Sequence, residues 1–397
     1  MNTVFPALVN GAILSALLTA ALWLALRLIP RRVLNAATRY AVWWAALAVV
    51  VAMPAVFLRP PPAMPPTYAG SAASAPPGTP ISGLAAPRYL AAPPPGNANL
   101  QIGVFRLFAW PQFPIEISAG KWPRWVMCLW LIVSSILLIR LTASWILLGR
   151  FCARASDPPE ALRTRAARWL ALCGSKTRNV RVICSTETAI PAAVGPLHPA
   201  IVIPARLLGE LDENALDQIG LHEAAHLARR DDYALAVQRI LEALFALHPV
   251  VRWIARRIDL EREIACDDFV LAAKGQSKSY AWCLTRMAEL TVGASPSPAA
   301  AAATSNLARR VDMLLDKTRH TGTRVLRARL AVVIALLAAL AWAAGRSPGL
   351  LAFAAPSPAF EVASVLAIIR KRRNLDAWPA GVFSGSCVYG GGTHRTG

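Results

Sequence analysis

The chain has 397 residues, 55% of them hydrophobic and 16% charged, with a mean hydropathy of +0.43; soluble domains carry roughly 25% charged residues, which argues against an ordinary single soluble domain. Net charge is +20, from 42 Lys+Arg against 22 Asp+Glu, yet residues 1–115 contain no acid, and Glu210–Asp268 holds 13 of the 22 together with three of the six histidines. A basic, apolar chain with one acidic, histidine-bearing island reads as a membrane protein with one chemical site, not as a nucleic-acid binder.

A spanning helix needs about 20 mostly apolar residues. In chain order, the sequence predicts spans at Val4–Leu26 and Tyr40–Leu58, a third at Trp125–Gly149 broken only by Arg140, and a fourth from Leu330 to Gly345, extendable through Leu350–Ala355. Arg27, Arg31 and Arg32 follow the first apolar run rather than precede it, so that run reads as a span and not as a cleaved leader. Arg140 sits toward the predicted inner end of its span, where an arginine snorkels. Flanking Lys/Arg set the orientation. Arg27, Arg31, Arg32 and Arg39 put the first turn inside; Arg150, Arg154, Arg163 and Arg165, then Arg324, Arg327 and Arg329, put both flanks of 150–329 inside. Both termini are then outside, and only Arg370–Arg373 runs against that pattern. The expected organisation is a transmembrane hairpin (1–58), a Pro-rich outer loop (59–122), a third helix (123–149), a cytoplasmic unit (150–329), a fourth helix (330–355) and a short outer tail (356–397).

Twelve prolines in 59–96 exclude a packed core there, and 295–305 reads as a second low-complexity linker. Val180–Cys184 and Ile201–Ile203 read as short β segments. The seven cysteines lack CxxC spacing, and only Cys387 is expected outside, so neither a disulfide framework nor a thiolate zinc knuckle is expected.

Within the acidic island stands Leu221-His222-Glu223-Ala224-Ala225-His226-Leu227, an HExxH sequence. On a helix starting at Asp212 or Glu213 and running to about Arg230, His222 and His226 share one face and can present two imidazoles to one Zn²⁺. Glu223 lies beside them, where it can take a proton from the attacking water and pass it to the leaving amine. The bland alternative, two surface histidines on an amphipathic helix, is weakened by the apolar flanks. Downstream, Glu263 and Asp267 are again i and i+4, the ExxxD pattern of gluzincins: Glu263 as third metal ligand, Asp267 accepting a ligand histidine's other N–H. Cys266 reads as a soft ligand or a buried small hydrophobe, Asp231 as orienting a ligand or belonging to the helix end, and His198 and His248 as carbonyl-polarising or structural.

Several stretches carry a more specific signal: Ala193–Pro199, Ile201–Pro204, His222–Asp231, and His248–Trp253 leading into Arg262–Asp267. Together with the four spans, these resemble the BlaR–MecR family of integral-membrane zinc peptidases. The resemblance implies a mainly α membrane protein with four transmembrane helices and a cytoplasmic α+β gluzincin-type metallopeptidase domain inserted between helices 3 and 4. It implies His222, His226 and Glu263 as zinc ligands, Glu223 as base and Asp267 behind them. It further implies an endopeptidase in a bacterial-type inner membrane that cleaves a cytoplasmic DNA-binding repressor, itself touching no nucleic acid, and often cleaves itself. The linker at 295–305 with Arg309-Arg310 is the expected self-cleavage region. The residues after the fourth span contain no SxxK, the nucleophile of the family's penicillin-binding sensor, so β-lactam sensing is not implied. Phe360–Val365 resembles the start of a small outer domain of related proteins. Two alternatives stand beside this reading: a quality-control protease of the HtpX type, and a receptor or scaffold with a structural zinc site.

Overall fold

The computed structural model describes residues 4–58, 115–118, 120–174, 179–292, 298–346 and 350–354; most of the Pro-rich loop, the whole tail after 355, Cys387 and the Phe360–Val365 resemblance lie outside them. Two apolar helices come first, α1 (Val4–Leu28) and α2 (Ala36–Phe57), then a short strand β1 (Ile115–Ser118) and the 33-residue α3 (Trp122–Arg154). Next come α4 (Glu160–Leu172), β2 (Arg181–Ser185), β3 (Ala192–Val194), β4 (Ala200–Pro204), α5 (Leu207–Glu210), α6 (Glu213–Ala228) and α7 (Asp231–Leu244). The chain continues through α8 (Pro249–Lys274), α9 (Ser277–Val292), α10 (Pro298–Leu315), α11 (Arg327–Arg346) and β5 (Leu351–Ala354). Four helices, α1, α2, α3 and α11, are long and apolar enough to cross a membrane, which makes this a mostly helical, membrane-type chain.

Three boundaries depart from expectation. The fourth apolar helix stops at Arg346, two residues before Pro348, whose missing N–H cannot continue a helical ladder. Leu351–Ala354, expected to extend that helix, instead pairs in parallel with Ile115–Ser118. Its position is fixed by Asn10, buried on α1, which donates Nδ2 to Leu351 O and accepts from Leu351 N, both at 2.9 Å. The 295–305 linker is in part not a linker: α10 begins at Pro298, its alanine run having high helix propensity. The third apolar helix extends past both expected ends, with Pro123 in its first turn, where a missing N–H costs nothing. Arg140 is exposed on its surface.

The small sheet has order β2-β4-β3, with β2 parallel and β3 antiparallel to β4. Every residue of β4 is buried, as a central strand's must be, and β3 forms an edge. One apolar cluster joins α4, this sheet, α6, α9 and α10 around Trp169, Ile201, Ile203, Leu221 and Leu227. A second joins α1, α2, α8 and α11 around Trp43, Leu47, Val50, Val251 and Ile254. The N-terminal half of α8 belongs to the second cluster while Val270, near its other end, belongs to the first, so this 26-residue helix ties the apolar hairpin to the unit that carries the chemical residues.

Candidate metal centre

Asp212 caps α6, its carboxylate accepting from Ala215 N at 2.7 Å, and the helix runs to Ala228, carrying the whole HExxH sequence. Gly220 permits close packing of this helix: a Cβ there would stand 2.4 Å from the Trp169 ring, which is itself held by Nε1 donating to Asp217 at 2.9 Å. His222 and Glu223 are buried, and the two imidazoles lie edge to face with centroids 4.8 Å apart. From α8, the Glu263 carboxylate reaches between them, 3.4 Å from His222 Nε2 and 3.7 Å from His226 Nε2. The three donor groups lie within 4.8 Å of one another. Ligands held tetrahedrally at about 2.0–2.1 Å from Zn²⁺ stand roughly 3.3 Å apart, so this nitrogen and carboxylate donor set fits such an ion.

Each histidine is oriented from behind. His222 Nδ1 lies 3.2 Å from Asp267 Oδ1 and 3.0 Å from the Tyr280 hydroxyl, which itself donates to Asp267 at 2.8 Å. His226 Nδ1 lies 2.9 Å from Asp231 Oδ2, and Asp231 also accepts from Arg229 Nε at 3.1 Å. The chain reaches Asp231 through Arg230, whose φ of 58° places a non-glycine residue in the left-handed region to make the turn between α6 and α7. Asp231, which the sequence left open, thus both begins α7 and holds a histidine. Cys266 is buried behind the same histidine, 3.3 Å from its Nδ1 and 3.4 Å from Asp231, in the manner of a small buried group, not on the Nε2 side where Glu263 lies.

Arg310 of α10 is the residue that sequence reasoning assigned differently. It donates Nε to Asp267 Oδ2 at 2.9 Å and Nη2 to Oδ1 at 2.6 Å, and its Nη1 stands 3.2 Å from Glu263. Arg309 and Arg310 therefore lie within a helix, and Arg310 is bonded into the site. Neither Arg310 nor Tyr280 carries a spacing signal, because each arrives from a separate helix. Burial alone would keep the His222 imidazole neutral, but the bonds to Asp267 and Glu263 outweigh it and lift its pKa to about 9. Burial likewise opposes ionisation of Glu263 and Asp267, yet His226 beside the first and Arg310 beside the second hold both well below the usual carboxylate range.

The site opens on a cavity of about 400 Å³, walled by Ala192 and Ala193 of β3, Leu284 and Met287 of α9, and Leu307 of α10. Glu223 sits at its edge, Oε2 accepting from Ala193 N at 2.7 Å. That edge strand was not anticipated: three small residues between prolines and glycine give no period-2 signal. His198 and His248 lie away from this cavity, His198 in the turn after β3 and His248 at the head of α8 with its ring 6.4 Å from that of Phe245.

The sequence profile of the family described as BlaR1 peptidase M56 matches residues 7–314. No curated protein matches the chain.

Proposed function

The chain belongs to the BlaR1 peptidase M56 family, whose BlaR1-type members are metallopeptidases, and on that premise we propose that it is a membrane-embedded zinc endopeptidase of the signal-transducing type. His222, His226 and Glu263 hold the ion, Glu223 is the general base and Asp267 orients His222; Asp231 does the same for His226. The observation that carries this reading is the convergence of both Nε2 atoms and Glu263 on one point while both Nδ1 atoms are bonded to carboxylates. With its Nδ1 engaged, each ring is fixed in rotation and offers only Nε2 forward.

When bound, the ion supplies Lewis acidity, lowering the pKa of water toward 7 and polarising the scissile carbonyl. The chain's own residues do the rest. Glu223, adjacent in sequence to His222, takes the proton of the attacking water at a carboxylate oxygen and returns it to the departing amide nitrogen. Ala193 N–H, now on Glu223 Oε2, belongs to an edge strand open to a substrate backbone added alongside. A purely structural ion site has no use for a glutamate at Glu223, which favours catalysis over a scaffold role. The flanking Lys/Arg support an inner-membrane location with both termini outside and the peptidase unit in the cytoplasm, where a DNA-binding repressor is the proposed substrate.

The test is Glu223→Gln in the full chain reconstituted in liposomes. Peptide cleavage should fall by about 10²–10⁴-fold, the usual worth of a general base, while the zinc content stays unchanged; His222→Ala should lose both. Undiminished cleavage by Glu223→Gln overturns the catalytic assignment, and cleavage of misfolded membrane proteins but of no repressor would favour the quality-control alternative.

A further inference from the structure

We propose that the tip of the α7–α8 hairpin, Ala243–Val251, is buried in the hydrocarbon core of the bilayer, wedged between α2 and α3, so that the peptidase unit is partly inside the bilayer rather than only tethered to it. This rests on the reading of α2 and α3 as membrane-spanning helices, and three observations carry it. The first is register. Ala36, at the inner end of α2, packs with Leu260 and Ile264 of α8, whereas Trp43, further along α2, packs edge to face with Trp253 at 5.5 Å. The two helices are therefore antiparallel, and the start of α8 points along α2 into its apolar run. Val251 and Ile254 share one buried cluster with Leu47 and Val50.

The second is a hydrogen bond at depth. The Leu244 carbonyl, at the end of α7, is among those with no intrahelical partner. It accepts from Trp130 Nε1 at 2.7 Å and from Ser134 Oγ at 3.2 Å. Both donors belong to α3, inside the uncharged run Trp125–Ile139 and about 12 and 18 Å from the helix start at Trp122. At a solvated helix end water does this work; in hydrocarbon only protein donors can.

The third is composition. Ala243–Val251 contains no Asp, Glu, Lys or Arg, while Leu244 and Leu247 are 40% and 46% exposed. The charges resume on either side of it, at Glu242, paired with Arg239 at 2.9 Å, and at the exposed Arg252 next to Val251, with Arg257 stacked on Trp253 at 4.8 Å. They coincide with an aromatic level, Tyr40, Trp43, Trp44 and Trp253, as at a membrane–water interface. Pro249 stands about 6 Å deeper than Trp253 along α8. The occupant follows from continuity: the exposed tip residues extend the lipid-facing surface of α3.

The experiment uses the full chain in phospholipid vesicles, with Cys128, Cys152, Cys173, Cys184 and Cys387 replaced by serine and the buried Cys266 and Cys283 kept. A nitroxide is placed by Leu247→Cys and, in a second variant, Leu244→Cys; Ile132→Cys on α3 and Lys278→Cys on α9 serve as references. Collision with oxygen should exceed collision with a water-soluble nickel chelate several-fold at 247, 244 and 132, and the ratio should reverse at 278. If 132 is in lipid but 247 and 244 match 278, the hairpin proposal alone falls. If 132 also matches 278, the spanning reading fails and takes the proposal with it.

Discussion

The two histidines proposed as ligands depend on carboxylates that arrive from different places, Asp231 from the turn after their own helix and Asp267 from α8. Replacing either by alanine frees one imidazole to rotate, and metal affinity should fall about 10- to 100-fold, measured by competition with a chromophoric chelator; unchanged affinity in Asp231→Ala would remove that residue from the site. Gly220 tests packing instead of chemistry. Its missing Cβ is where the Trp169 ring lies, and the bond from Trp169 Nε1 to Asp217 opposes the ring's retreat. Gly220→Ala should therefore destabilise by about 1–3 kcal/mol through overpacking, read as a lower unfolding temperature, despite alanine's better helix propensity. An unchanged temperature would mean that the ring moves freely.

At the scale of elements, Asp217 joins three helices: on α6 itself, it accepts from Trp169 of α4 and from Lys274 of α8, with Arg165 of α4 also within 3.3 Å. Burial raises its pKa, but the bonds from Trp169 and Lys274 and the charge of Arg165 more than offset this and leave it below the ordinary value. A depressed folded pKa contributes stability that is present above the unfolded pKa of about 3.9 and is lost as pH falls through the folded one. Asp217→Asn should thus cost about 1 kcal/mol at neutral pH, and the gap to wild type should close below about pH 4, followed by urea unfolding in detergent across that range. A gap independent of pH would show that the amide's packing, not the charge, matters. A second junction joins the α1–α2 turn to the segment before α11. Asn35 caps α2 through Thr38 N at 3.0 Å and donates to Gly322 O and Arg324 O, while Arg31 pairs with Glu261 and Arg319 with Asp268. Apart from the cap, none of these joints follows from a local sequence rule, because each partner lies over 50 residues away.

For the molecule as a whole, the site gathers α6, α8, α9 and α10 around one point, and an ion held by His222, His226 and Glu263 would add a further tie between α6 and α8. Chelation should abolish cleavage and lower the unfolding temperature, and added Zn²⁺ should restore both; at a free ion concentration about 1,000 times Kd the linkage amounts to roughly 4 kcal/mol. An unfolding temperature indifferent to chelator would mean that the four helices hold together without the ion.

Sequence by itself determined the apolar helices, the HExxH helix with its Asp212 cap and the ExxxD pair, since these rest on length, hydropathy and a spacing of four residues on a helical face. It could not determine what those faces meet. Asp231, Tyr280 and Arg310 reach the histidines and acids from three other helices, the edge strand beside Glu223 is too short to show a period, and Leu351–Ala354 became a strand because Asn10 and β1 supply its hydrogen bonds. Only the tertiary structure decided these, because a buried polar group takes whatever partner the packing brings within 3 Å or so, and packing couples residues at any separation along the chain.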